Sequence, residues 1–371
     1  MAESLYKLIP DTLASSAERE KADEKTVEQA VRMKAKARSL SGPKVSTSSW
    51  LELREKMGRC KDKVFALRLV SAATGYKPLP AQEAFHLAGI ESPIAMLLKF
   101  FCGGIGTGKS KCTVIDDVIA ILCNPGMGKR ALIVAPTYDQ ALHVLLPVFL
   151  WICERMEAAG MPLLRKFRWS QMRAEMIDGG EVFFRSVSKI DNVLGFEFFL
   201  VHFDECETVA APERIYMVLI GRLRALSHFL QANFSSTPRG LRGIIGVFHA
   251  AREDYKTPEE RELRRQEYFF VRATTLDNPH LPKDYIENLR RTLSVAAWKQ
   301  EVMAEILRPE AAVYGVFERR RHSLDVGRKE DFIRSMARDG VGYDLVYDFG
   351  PNYSHILWIA NSESGRGLVF D

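Results

Sequence analysis

From Met96 to Thr275 the chain repeats one pattern: a short apolar run, then a longer stretch whose apolar residues recur at helical spacing. The runs LLKFFC (97–102), ALIVAP (131–136), FFLVHF (198–203), LQANFSST (230–237) and YFFVRATT (268–275) are too short for helices and read as buried strands. Between them, Lys109 to Leu122, Tyr138 to about Glu157 and Glu213 to Leu226 read as helices. AEMIDGGEVFFRSV (174–187) predicts a hairpin turning at Gly179-Gly180. Continuous apolar strands separated by helices predict an α/β fold, with a mainly parallel sheet covered by helices on both faces.

Outside this block the pattern weakens. Residues 1–60 are rich in Lys, Glu, Ala and Ser and predict mobile helices rather than core, with packing starting near Val64. Helical sequence runs from about Lys283 to Leu307. The expected organisation is an N-terminal helical region (1–60), a nucleotide-binding domain (61–318), a basic linker (319–339) and a further strand-bearing domain (340–371).

Composition adds limits. A chain of 371 residues with 47% hydrophobic and 27% charged residues has the composition of a globular protein of about two domains. No apolar run approaches the roughly 18 residues needed to span a bilayer, so no membrane partner is expected, and the N-terminus lacks the pattern of a secretory signal. Cys60, Cys102, Cys112, Cys123, Cys153 and Cys206 show no paired spacing and read as thiols in a reducing compartment rather than a zinc site. The net charge of +5 points mildly to an anionic partner. Two arginine clusters, Arg261/Arg264/Arg265 and Arg319/Arg320/Arg321, suit either nucleic-acid phosphates or a solvated face.

The chemistry is concentrated in two places. Gly103, Gly104, Ile105, Gly106, Thr107, Gly108, Lys109 and Ser110 satisfy the G-x-x-x-x-G-K-[ST] pattern, directly after a strand and opening a helix. Its backbone N–H groups can cradle phosphates of ATP, Lys109 can reach the β- and γ-phosphates, and the Ser110 hydroxyl can ligate Mg²⁺. The strand FFLVHF delivers Asp204 and Glu205 to the edge of the sheet where ligands sit. Asp204 suits the metal and its water shell, and Glu205 suits polarising the attacking water. His202, in the same strand, reads as a packed residue rather than a ligand.

Taken in order, these pieces resemble the large terminase subunit of tailed bacteriophages. GYKPLPAQEAFH (75–86) looks like the segment in which a glutamine, here Gln82, recognises adenine. ALIVAPTYDQA (131–141) and FFRSVSKIDNVLGFEFFLVHFDECE (183–207) are similar to the strands leading to the acidic pair. NFSSTPRG (233–240) resembles the coupling motif, in which Ser236 and Thr237 would sense the γ-phosphate, and ATTLDNPHLPKDYIENLRRTL (273–293) the segment closing the ATPase domain. The resemblance implies an ATPase that moves double-stranded DNA into a procapsid. Its implied partners are a portal protein, a small terminase subunit and further copies in a ring; its implied place is the host cytoplasm, transiently at the portal vertex.

One departure concerns the arginine that many terminases carry inside the P-loop, where this chain has Ile105. Arg185, Arg222, Arg224 and Arg239 are candidates for that charge, as is an arginine from a neighbouring subunit; without one, turnover would fall by around 10³-fold. LVYDFGPNYSHILWIA (345–360) and GLVFD (367–371) look like the first strands of an RNase H-like nuclease, with Asp348 as its first Mg²⁺- or Mn²⁺-binding acid. Two-metal cleavage needs several acids. With Asp371 as the last residue, the sheet is expected to be incomplete and without cleavage activity of its own. Two other readings stay open: a helicase-like translocase, and a nucleotide-dependent assembly protein without sustained turnover.

Overall fold

The computed structural model describes residues 47–60, 62–89 and 96–307, and the backbone of three strands between residues 341 and 370. Contacts divide the chain into two units after Leu307.

The first unit opens with α1 (Thr47–Cys60), α2 (Lys63–Thr74) and α3 (Pro80–Leu87). Packing starts before the predicted Val64. Trp50, Arg54 and Met57 recur on one face of α1 and are buried. The Trp50 indole donates to the Pro162 carbonyl (2.7 Å), and Arg54 pairs with Asp178 (2.8 Å). Sparse large apolar residues concealed this face; a Trp and a Met two turns apart anchor it. The rest of the expected mobile region, residues 1–46, lies outside the described residues.

The predicted strands form, within one or two residues, as β1 (Met96–Gly103), β2 (Arg130–Ala135), β6 (Leu200–Asp204), β7 (Leu230–Ser236) and β8 (Tyr268–Ala273). The predicted hairpin appears as β4 (Arg173–Met176) and β5 (Glu181–Ser186), and β3 (Leu164–Arg168) extends it. The sheet order is β3-β4-β5-β2-β6-β7-β1-β8. From β5 to β8 every pairing is parallel, and only the β3-β4-β5 edge is antiparallel. The mainly parallel α/β fold is therefore as expected.

Helices cover both faces. On one lie α1, α2, α4 (Lys109–Leu122) and α5 (Leu146–Ala158), the last continuing a π-helical turn at Ala141–Leu145. On the other lie α6 (Pro212–Arg222) and α7 (Gly243–Glu253). Strand alternation sorts the cores: Ala131, Ile133 and Ala135 join the first, and Leu132 and Val134 the second. Helix α7 and α8 (Pro258–Glu267) were not anticipated from the sequence. The stretch expected as one helix after Lys283 instead breaks at Leu293, giving α9 (Lys283–Thr292) and a π-helical turn at Trp298–Val302. Among the described residues no helix is long and apolar enough to cross a membrane.

The second unit contains β9 (Val341–Phe349), β10 (Ser354–Ser362) and β11 (Gly367–Phe370), antiparallel in the order β11-β10-β9. Asp348 stands opposite His355 in the register. The expected linker at 319–339, with Arg319, Arg320 and Arg321, lies outside the described residues.

Candidate nucleotide site

The P-loop connects β1 to α4 at the C-terminal edge of the parallel sheet. Gly106 (φ 76) and Gly108 (φ 77) adopt left-handed conformations that turn the chain into the helix. The first N–H groups of α4 lack intrahelical partners there, which suits anions. Gln82 lies against the loop: its Nε2 donates to the Thr107 carbonyl (3.1 Å), while its Oε1 accepts from Tyr76 Oη and Leu79 N, each at 3.0 Å. The other side of the loop is held by groups that sequence reasoning did not single out. Thr275 Oγ1 donates to the Ile105 carbonyl (2.7 Å), Asn278 Nδ2 to the Gly106 carbonyl (2.6 Å), and the Ile105 N–H to the Glu301 carbonyl (2.8 Å).

Strand β7 lies between the strand that feeds the P-loop and the strand that carries the acids, bonded to both. Its alternation sends Ser235 and Ser236 to opposite faces. Ser235 is level with Asp204, and its hydroxyl donates to Asp204 Oδ1 at 2.5 Å. Ser236 Oγ is 3.4 Å from Glu205 Oε2 and accepts the Glu207 N–H at 3.3 Å.

Glu205 sits at φ 47, a left-handed conformation uncommon for a residue with a side chain. Its carboxylate meets Lys109: Nζ to Oε1 is 2.9 Å, and the same Nζ lies 3.3 Å from Thr237 Oγ1. The P-loop cation, the second acid and the residue after the end of β7, far apart in sequence, thus converge on one point. Asp204 and the half-buried Ser110 offer hard oxygen donors of the kind Mg²⁺ takes. Nearby, Glu207 is buried, and burial pushes its carboxyl up to about 7 against the opposing hydrogen bonds of the Ile245 and Ile244 N–H groups.

The four candidate arginines are dispersed. Arg222 and Arg224 flank the bridge between Phe198 and Leu223, ahead of β6 and therefore at the opposite edge of the sheet. Arg185 donates to the carbonyls of Gln171 and Phe184 (2.9 and 2.7 Å). Arg239 is the one beside the loop: its Nη1 is 2.6 Å from Oε1 of Glu301, whose carbonyl holds Ile105. Of the basic cluster on α8, Arg264 pairs with Glu267 (3.4 Å), Arg265 with Glu253 (3.8 Å), and Arg261 stacks over Tyr255. Cys102, Cys112, Cys123, Cys153 and Cys206 are buried free thiols.

Beneath the P-loop helix lies a buried polar cluster that the apolar pattern hid. Lys99, Asn233 and His202 stand in one row across β1, β7 and β6. Asp116 Oδ2 accepts from Lys99 Nζ (2.5 Å), Gln231 Nε2 (2.7 Å) and Asn233 Nδ2 (3.0 Å), and its Oδ1 lies 3.1 Å from His86 Nδ1. Asp117 takes the second Asn233 hydrogen (2.8 Å) and faces His202 Nδ1 (2.6 Å). Burial pushes the Asp116 carboxyl up, and Lys99 with the His86 contact more than reverses this, leaving it low. Burial likewise works against a charged His202, but Asp117 and Asp204 outweigh it and raise the imidazole. His202 is packed, as expected, and it is also one of the ionic partners of α4.

Residues 100–321, more than half of the chain, match the family model described as "Terminase large subunit, T4likevirus-type, N-terminal". The chain belongs to this terminase family. No curated protein sequence matches it. Similar solved structures include the ATPase domain of the large terminase of Thermus phage P74-26. That domain is 20% identical, with 64% of this terminase chain and 96% of that one covered and a TM-score of 0.45. A large terminase from a thermophilic bacteriophage is 14% identical, covering 80% and 69% respectively, with a TM-score of 0.47. For the HK97 bacteriophage large terminase the values are 13%, 80%, 63% and 0.44.

Proposed function

We propose that this chain is the ATP-hydrolysing subunit of a motor that drives double-stranded DNA into a phage procapsid. The observation that carries the reading is the convergence of Lys109, Glu205 and Thr237, with Nζ of Lys109 2.9 Å from one and 3.3 Å from the other. Lys109 binds the terminal phosphates and stabilises the charge that builds on them in phosphoryl transfer. Glu205, at the end of β6, orients and polarises the attacking water. Gln82 contacts the adenine side through its amide, and the N-terminus of α4 takes the phosphate charge. Ser110 and Asp204 would hold Mg²⁺, which supplies Lewis-acid neutralisation of the phosphate oxygens when bound. Thr237 and Ser236 report loss of the γ-phosphate, since the first touches Lys109 and the second Glu205.

Arg239 is the arginine best placed to supply the charge that Ile105 does not. Release from Glu301 would free it toward the loop. Duplex DNA, a portal, a small subunit and neighbouring copies are the partners that family membership supports, and exposed lysines and arginines would make DNA binding salt-dependent and indifferent to sequence. Asp348 in β9 is assigned as a metal-binding acid of the second unit.

The test is steady-state ATP hydrolysis by the parent, Lys109→Ala and Glu205→Ala. Both variants should lose activity by about 10³-fold or more. Parental rates in both would overturn the mechanism.

A further inference from the structure

The turn that follows the acidic pair contains a third carboxylate with a different task. Glu207 is 7% exposed and lies on the turn Cys206–Thr208. Its Oε1 accepts the Ile245 N–H at 2.9 Å, at the first turn of α7. Gly243, the first residue of α7, comes so close that a methyl group there would sit 2.1 Å from Glu207 Oε2, and it has a left-handed φ of 66. Helix α7 therefore begins with a residue that leaves room for this carboxylate.

The backbone of Glu207 faces the other way. Its N–H donates to Ser236 Oγ (3.3 Å), and Ser236 Oγ also reaches Glu205 Oε2 (3.4 Å). A single residue thus ties three parts of the unit together: the left-handed turn at Glu205, the end of β7 and the start of α7. A left-handed non-glycine residue persists only where its surroundings over-determine it; here the Glu205 carbonyl accepts the Thr208 N–H (3.0 Å) and hydroxyl (2.6 Å), and Glu207 anchors the same turn to α7. Buried apolar contacts around Cys206, Ile244, Ile245 and Phe248 hold the same junction without fixing its register, because they are not directional.

We propose that Glu207 is a positioning residue for ATP hydrolysis: by accepting the N-terminal N–H of α7 it fixes the turn that aims Glu205 and the strand end that carries Ser236. This rests on the hydrolytic role of Lys109 and Glu205 given above. It separates binding from turnover, since Glu207 lies on the face of the sheet away from Gln82 and α4.

Three variants test it. Glu207→Ala should lower kcat by at least about tenfold, because a small misplacement of a catalytic group is costly, while nucleotide affinity, read with a fluorescent ADP analogue, stays within about twofold. Glu207→Gln keeps an acceptor of the same reach and should restore most of the rate. Gly243→Ala, which displaces the carboxylate without removing it, should reproduce the Glu207→Ala loss. An unchanged kcat in Glu207→Ala would overturn the proposal. So would a Glu207→Gln rate as low as that of alanine, or an affinity loss equal to the rate loss. Lys109→Ala measured alongside separates the two readings. If Lys109→Ala still hydrolyses ATP, the hydrolytic assignment fails. If Lys109→Ala is inactive and Glu207→Ala runs at the parental rate, only the role of Glu207 fails.

Discussion

The two faces of the same three strands, β1, β7 and β6, are built on different principles. Toward α6 and α7 they present Leu98, Phe100, Ala232, Phe234, Val201 and Phe203, an apolar surface with stacked aromatic contacts such as Phe100–Phe270. Toward α4 they present Lys99, Gln231, Asn233 and His202 beneath Asp116 and Asp117, all of them buried. The apolar face stabilises in proportion to area, at about 25 cal/mol per Å². The polar face gains little net energy from its ion pairs, because desolvation offsets most of the attraction. What it supplies is register. Asn233 joins Asp116 to Asp117 and stands level with both Lys99 and His202, so the strands meet α4 in one alignment only. Two residues further along, the same strands deliver Ser235 and Asp204 to the site.

The contrast is broken or sharpened by substitution. Asp116→Ala removes an acceptor shared by Lys99, Gln231 and Asn233 and leaves an uncompensated buried cation. It should destabilise by about 3–5 kcal/mol in chemical denaturation, whereas Leu98→Met on the apolar face should cost less than about 1.5 kcal/mol. Similar costs for the two would erase the distinction. Asn233→Ala should lower stability by about 1–3 kcal/mol and slow ATP hydrolysis as well, because the strand ends lose alignment. A stability loss with unchanged turnover would mean that the row does not position the site.

The smallest effect is one of pH. The folded state holds the His202 proton above the ordinary value of 6.5. That share of stability is therefore fully present below pH 6.5 and is lost as the pH rises through the folded value. His202→Gln should flatten this decline in a series of denaturation curves, while Leu98→Met leaves its slope unchanged.

How much of this was legible in the sequence follows the same division. The apolar strands, the P-loop and the acidic strand end could be read because continuous apolar runs and glycine spacing are local signals. Lys99 inside LLKFFC and Asp116-Asp117 inside an apolar helix were equally visible as letters, but their partners lie on other elements, so no local pattern marks them as a cluster. The place of β7 between β1 and β6 is a matter of strand order, which periodicity does not encode. The acidic pair marked Glu205 as a candidate, but nothing local marks its left-handed conformation. Glu207 acquires its role only from Gly243, a residue whose missing side chain matters for space rather than for a loop. The packing of helix α1, expected as a mobile helix, was concealed for the opposite reason: a charged surface diluted the few residues that pack.

The position of β7 also governs how the molecule can deform. A strand bonded along both edges is stiff, since sliding it would break two ladders at once, and α7 is fastened at its first turn. Residues 237–242 join the strand to the helix, with Pro238 unable to donate a backbone hydrogen bond and Gly240 at φ 101. Besides this segment, Glu207 links the two, through Ser236 at the end of β7 and Ile245 at the first turn of α7. A displacement at Thr237 would therefore reach α7 by two routes, along the chain and through the Glu207 side chain.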